Sequence, residues 1–133
     1  MIKKIGVKTE SHTQFKDITS QVKQAVSNST IKNGLAVVYV THTTAGITIN
    51  EHADPAVRED IITSLDKRFP WEDSYRHAEG NSAAHIKASL MGSSVTVIIE
   101  NGSLVLGTWQ GIFFCEFDGP RSRNAVIKII ESE

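Results

Sequence analysis

The stretch LAVVYVTHTTAGITINEHADP, residues 35–55, sets the fold class. Residues 35–41 form a continuous apolar run rich in β-branched side chains, the pattern of a strand buried on both faces. The small-residue break THTTAG follows, and Ile47, Thr48, Ile49 and Asn50 then alternate like a second strand. Asp54-Pro55 starts a helix, with Asp as N-cap and Pro at the first helical position. Val57, Ile61, Leu65 and Phe69 recur at four-residue spacing, and Pro70 marks the stop.

Working outward, residues 3–9 and 14–18 read as strands. Residues 19–32 read as a helix with Val22, Ala25, Val26 and Ser29 on one face and Gly34 beyond its end. Downstream, a short helix spans residues 82–90 on the stripe Ala83, Ile86 and Leu90. A strand over 95–100 meets the hairpin signal Asn101-Gly102 and returns over 103–106. Strands over 112–117 and 125–130 complete the chain. Strands gathered at the C-terminal end predict an α+β fold with a mixed or antiparallel sheet and about three helices. With no repeat and no linker, residues 1–133 form a single domain. The 112–117 strand carries large apolar residues on both faces, which predicts an oligomer interface there.

Composition narrows the function. The chain is 40% hydrophobic and 22% charged, a globular balance, and a domain of 133 residues can bury a core without disulfide staples. The net charge of -1 with scattered Lys and Arg excludes a protein built to lie along nucleic acid. No apolar run reaches membrane-span length and the first residues show no signal-peptide core, so a cytoplasmic location is expected by default. The single cysteine, Cys115, lies in GIFFCEF and reads as a small buried apolar residue.

Three segments gather polar chemistry. In THTTAGITINEHADP, His42 ends a strand and precedes Thr43, Thr44 and a Gly-containing turn. Such hydroxyls and free backbone N–H groups suit an anion, but they serve equally well to satisfy a turn. In YRHAEGNSAAHIKASLMG, Asn81 or Ser82 caps a helix whose first N–H groups attract phosphate, with Gly80 permitting close approach. His85 falls off the apolar stripe, and His77 with Glu79 nearby offers part of a divalent metal site, Zn or Mg. A solvated polar loop is the competing reading. In LGTWQGIFFCEFDGPRSR, Arg121 after the Asp118-Gly119-Pro120 turn suits a bidentate clamp on a phosphate or carboxylate, or a pair with Asp118 or Glu116. Trp109 reads as packing, and His52 as surface. No Gly-x-Gly-x-x-Gly, Walker loop, HExxH or Gly-x-Ser-x-Gly is present, which disfavours nucleotide-dependent phosphoryl transfer and serine hydrolysis. No organic cofactor is expected.

Taken together, HTTAGITINE with its DP-started helix, H-x-EGNS-x-AHIKASL-x-G and LGTWQGIFFCEFDGPR-x-R resemble the YjbQ-like family from about Leu35 to the C-terminus. The resemblance implies a compact α+β subunit in a homotrimer, and a weak thiamine-phosphate synthase activity that releases pyrophosphate. It places functional polar positions on His42, Thr43, Thr44, Asn50, Glu51, Asp54, His77, Glu79, Asn81, His85, Asp118 and Arg121. The expectation is a metal-assisted enzyme on a small phosphorylated or pyrophosphorylated metabolite. His77 and His85 hold the metal, with His42 as a further candidate ligand; Arg121 holds the phosphate, and His42 or Glu51 accepts a proton. The alternative is a non-catalytic trimer that binds a metal or a phosphorylated metabolite in the same cleft. Neither reading involves nucleic acid or membrane.

Overall fold

The protein is described by a computed structural model covering residues 2–132. Its elements run β1 (Ile2–Lys8), β2 (Gln14–Asp17), α1 (Thr19–Ser29), β3 (Gly34–Val40), β4 (Ala45–Glu51), α2 (Pro55–Arg68), α3 (Ser82–Met91), β5 (Ser94–Glu100), β6 (Ser103–Leu104), β7 (Gln110–Glu116) and β8 (Ser122–Glu131). They build two antiparallel sheets, one ordered β1-β8-β3-β5-β6 and the other β2-β7-β4. The expected α+β class with three helices holds, and the mixed-or-antiparallel alternative resolves to antiparallel.

Period-two alternation decides which side chains face inward. Ile5 and Val7 of β1, Ala36, Val38 and Val40 of β3, Val97 and Ile99 of β5, and Ala125, Ile127 and Ile129 of β8 line the inner face of the larger sheet. Ile47 of β4, Ile112 and Phe114 of β7, and Val22, Ala25 and Val26 of α1 close over them. The opposite face of β7 builds a second core in which Phe113, Cys115 and Phe117 pack with Phe15, Ala84 and Ala88, with Ile61, Ile62 and Leu65 of α2 alongside. Burial raises the Cys115 thiol far above its ordinary range and keeps it protonated.

This double core corrects the expected interface. Ile112, Phe113, Phe114 and Cys115 are each fully buried within the chain itself, because α3 and α2 cover the face that the sequence suggested was bare. The uncovered apolar surface lies elsewhere. Leu35 pairs with Ile98 on one side and Ile130 on the other, and all three are exposed on the outer face of the larger sheet.

Three local differences have plain causes. The first helix stops at Ser29, not residue 32, because Thr30 turns left-handed (φ 61°) and the Ser29 hydroxyl donates to the Val26 carbonyl. The hairpin at Asn101 (φ 52°) and Gly102 (φ 79°) is as expected, but its return strand is only Ser103–Leu104. Trp109 is 62% exposed, against the expectation of packing. The DP-started helix forms as predicted, with Asp54 Oδ1 accepting from the Ala56 N–H at 2.9 Å. It is a surface helix with no fully buried residue, held partly by Arg58 lying 5.1 Å over the Phe113 ring.

Candidate functional site

Three loops meet at one end of the sandwich. The 41–44 segment leaves β3, the 77–82 segment enters α3, and the 118–123 turn joins β7 to β8. Close packing of α3 on β4 makes the meeting possible. A Cβ at Gly46 would lie 2.8 Å from the Gly92 carbonyl and 2.9 Å from Met91 Cβ, so only glycine allows this approach. The loops enclose a recess of about 370 Å³ lined by His42, Thr43, His77, His85, Arg121 and Arg123, among others.

The recess rests on a buried ion pair. Glu116 is fully buried and Arg123 is 5% exposed. Arg123 Nε donates to Glu116 Oε1 at 2.8 Å and its Nη2 donates to Oε2, a bidentate pair that ties β7 to β8 across the two sheets. The remaining valences are filled: Thr9 donates to Oε1 at 2.7 Å, the Asp118 N–H to Oε2 at 3.0 Å, and Arg123 Nη2 to Thr44 Oγ1 at 2.8 Å. Burial pushes the Glu116 carboxyl upward, but its bonds to Arg123 and Thr9 outweigh this and hold it below its ordinary value. Thr44 is thereby fixed as part of the floor.

Arg121 donates from Nε to the Asp118 carbonyl at 2.7 Å and from Nη2 to Asp118 Oδ2 at 3.0 Å. The pairing reading of Arg121 is thus correct, yet a guanidinium carries five N–H donors and the exposed Arg121 keeps donors for the recess. Asn81 donates to Asp118 Oδ2 at 3.0 Å and to Glu79 Oε2 at 3.4 Å, which locks the 77–82 loop to the 118 turn. Its Nδ2 is committed there, its buried Oδ1 has no partner among the described residues, and the side chain makes no cap on α3.

The start of α3 is not the open anion site that the sequence suggested. Ala83 and Ala84 are fully buried, and the Ala84 N–H donates to the Asn81 carbonyl at 3.0 Å. Gly80 (φ 78°) shapes the turn before the helix, and Ser82 is only partly covered.

The histidines divide by role. The Asn124 backbone N–H donates to His42 Nε2 at 2.9 Å, so the proton of the neutral ring sits on Nδ1. Burial, with the nearby Arg123 charge, lowers the pKa of His42 from its ordinary 6.5 and keeps the ring neutral at pH 7. His42 is therefore a hydrogen-bond donor toward the recess; its acceptor nitrogen is taken, which removes the expected role of proton acceptor. His77 and His85 face each other with ring centroids 5.3 Å apart and planes at 84°. Among the described residues no three His, Cys, Asp or Glu side chains group closely enough to hold a metal. The two imidazoles do not form a self-contained metal site of protein ligands.

The family model described as UPF0047 protein YjbQ-like matches residues 3–132. The chain belongs to this family. It is 51% identical over 131 residues to the UPF0047 protein YugU of Bacillus subtilis, covering 98% of this chain and 99% of that one. It is 55% identical over 130 residues to a UPF0047 protein of Methanocaldococcus jannaschii, covering 98% and 94% respectively. Among solved structures it is similar to an uncharacterised conserved protein of the family from Clostridium acetobutylicum. That match has TM-score 0.95, 61% identity and coverage of 96% of this chain and 99% of that one. A protein of unknown function from Sulfolobus solfataricus has the same fold at TM-score 0.95 and 38% identity, with 99% and 97% coverage.

Within this YjbQ-like chain the expected site residues separate into two groups. His42, Thr43, Thr44, His77, Glu79, Asn81, His85 and Arg121 line the recess, and Asp118 braces it. Asn50, Glu51 and Asp54 do not join them. They lie at the far end of β4, which at about 3.3 Å per residue is roughly 20 Å from Ala45. There Asn50 accepts from the Glu51 N–H at 2.7 Å, Glu51 from the Asp54 N–H at 3.2 Å, and Asp54 caps α2. His52 is also engaged at that end, its Nδ1 lying 2.9 Å from Asp17 Oδ2. Sequence reasoning missed Arg123. The available signal was its place two residues after Arg121 at the head of β8, where alternation turns it inward beside Ala125 and Ile127.

Proposed function

We propose that the recess binds a small phosphorylated or pyrophosphorylated metabolite and that the protein is an enzyme acting on it. The observation that carries this reading is the convergence of Arg121, Arg123, His42, His77 and His85 on one recess. Arg123 braces the fold through Glu116, but the remaining donors of Arg121 and the facing imidazoles of His77 and His85 serve no such bond among the described residues. In a partly enclosed site fixed donors neutralise phosphoryl charge more strongly than water does. Arg121 offers its remaining N–H groups, His42 its Nδ1–H, and Thr43 a hydroxyl. The reaction class is transfer with release of pyrophosphate. Thiamine-phosphate synthesis, the weak activity implied by the family resemblance, is the case to assay first. A divalent ion, Zn or Mg, belongs to the proposal only as one whose sphere the metabolite's oxygens complete beside His77 and His85. No catalytic step is assigned to it.

A second reading, metal-free binding without turnover, is favoured by the missing third protein ligand among the described residues. We also propose a cytoplasmic homotrimer. Association is supported by the exposed Leu35, Ile98 and Ile130 on the larger sheet. The location rests on the unpaired Cys115 and on the fact that no described helix is long and apolar enough to cross a membrane.

Elemental analysis of wild type beside His77→Ala and His85→Ala, with calorimetric titration of phosphate and pyrophosphate, separates the readings. Metal lost from both variants together with pyrophosphate release supports the enzyme. Anion binding without metal supports the second reading, and no anion binding by the wild type overturns both.

A further inference from the structure

The recess continues past the histidines into a second lobe. This lobe, about 490 Å³, shares His42, Thr43 and His85 with the first and is otherwise bounded by Ala45, Ala88, Ser89, Gly92 and Ser93. Ala45 and Ala88 are buried and form a low floor, while Thr43, Ser89 and Ser93 carry hydroxyls on its exposed rim. No Asp, Glu, Lys or Arg lines it, whereas the first lobe holds Arg121 and Arg123. His42 stands at the junction, with Nδ1–H as the donor it has left.

We infer that the cleft takes a two-part ligand: a phosphoryl end in the arginine lobe and an uncharged, hydroxyl- or amide-bearing body in the small-residue lobe. An acceptor atom joining the two parts lies at His42. This rests on the phosphate reading above and names the class of compound. A charged body would give up hydration in a lobe with no opposite charge to receive it. Ser89 already donates to the His85 carbonyl at 2.8 Å, but a purely hydrocarbon body would displace water from Thr43 and Ser93 without replacing its hydrogen bonds, so hydrogen-bonding groups are favoured. The small floor residues admit a compact ring or short polyol.

The test is calorimetric titration of the full chain at neutral pH with inorganic phosphate, ribose 5-phosphate (uncharged body) and 3-phosphoglycerate (charged body). Two or three neutral hydrogen bonds predict that ribose 5-phosphate binds about tenfold or more tighter than phosphate. The charged body gains nothing. Ser93→Trp and Ser89→Trp, both at exposed positions, fill the lobe; each should erase the gain and leave phosphate affinity within about twofold. A gain that survives both substitutions, or an equal gain for 3-phosphoglycerate, overturns the assignment. So does loss of phosphate affinity itself in variants that melt normally, because the lobes would then not be separate. Phosphate binding with no gain from any body sinks only the two-part ligand; no phosphate binding at all sinks the underlying reading as well.

Discussion

The two ends of β4 bound one continuous motif, THTTAGITINEHADP, yet they do different work. At the Ala45 end, Thr44 and His42 are held by Arg123 and by the Asn124 backbone and face the recess. At the Glu51 end, the same kinds of side chain bond to local structure: Asn50 and Glu51 accept from backbone N–H groups, Asp54 caps α2, and His52 pairs with Asp17. Neighbours in sequence become neighbours in space only where the chain turns. A strand carries its two ends apart, so one motif can hold a binding edge and a structural edge together.

The sharpest way to break this contrast is at Arg123. Removing one partner of a buried pair leaves an uncompensated charge, so Arg123→Met should cost about 3–5 kcal/mol in urea denaturation. Replacing both partners, Arg123→Met with Glu116→Leu, should recover most of that stability but not phosphate binding, because Thr44 and the Asp118 turn lose the bonds that hold them at the recess. A loss below about 1 kcal/mol for the single change would mean that the recess end does not rest on the pair.

Acid should weaken the same pair more gradually. Glu116 is held below its ordinary value of 4.5 in the folded chain, so its contribution is complete above that value. It is lost as the pH falls through the lower, folded value, where the folded carboxyl takes up its proton. Asp17 is lowered too, since hydrogen bonds from Thr19 outweigh the upward push of burial. Melting curves from about pH 5 to about pH 3 should therefore flatten in both Glu116→Gln and Asp17→Asn relative to wild type. Phosphate affinity at neutral pH should drop only in Glu116→Gln. A matching drop in Asp17→Asn would erase the contrast between the two ends.

The smallest effect belongs to the far end. Asp54→Ala removes the α2 cap and should cost about 1 kcal/mol, read from the denaturation midpoint, with anion affinity unchanged. A loss of affinity there would show that the far end contributes to the site after all.

Periodicity and punctuation made most of the fold legible. The run at 35–41, the alternation at 47–50, the Asp54-Pro55 start and the Asn101-Gly102 turn each carry their cause locally. Coverage was not legible. Phe113 and Cys115 look bare in sequence because the stripe Val57, Ile61, Leu65 and Phe69, and the alanines of α3, do not reveal which strand face they will cover. In the site, the histidines and Arg121 were visible as polar residues at element ends. Arg123 was hidden because a buried arginine is recognised by its partner, and Glu116 lies on another strand of another sheet.

The order of the sheets also bears on how the chain is made. β8 is the strand between β1 and β3, and β7 is the strand between β2 and β4, so each sheet waits on one of the last described segments of the chain. A ribosome adding about 5–20 residues per second completes β1 to β4 some seconds before either of these strands exists. Through that interval β1, β2 and β4 have no partner strand, and β3 has only one of its two. Long-range pairing of this kind is slow, since loop closure precedes any compensating contact. Helices α1 and α2 can begin to form on the nascent chain, but neither sheet can close until β7 and β8 have been made. Folding of this domain is an event that follows its own synthesis.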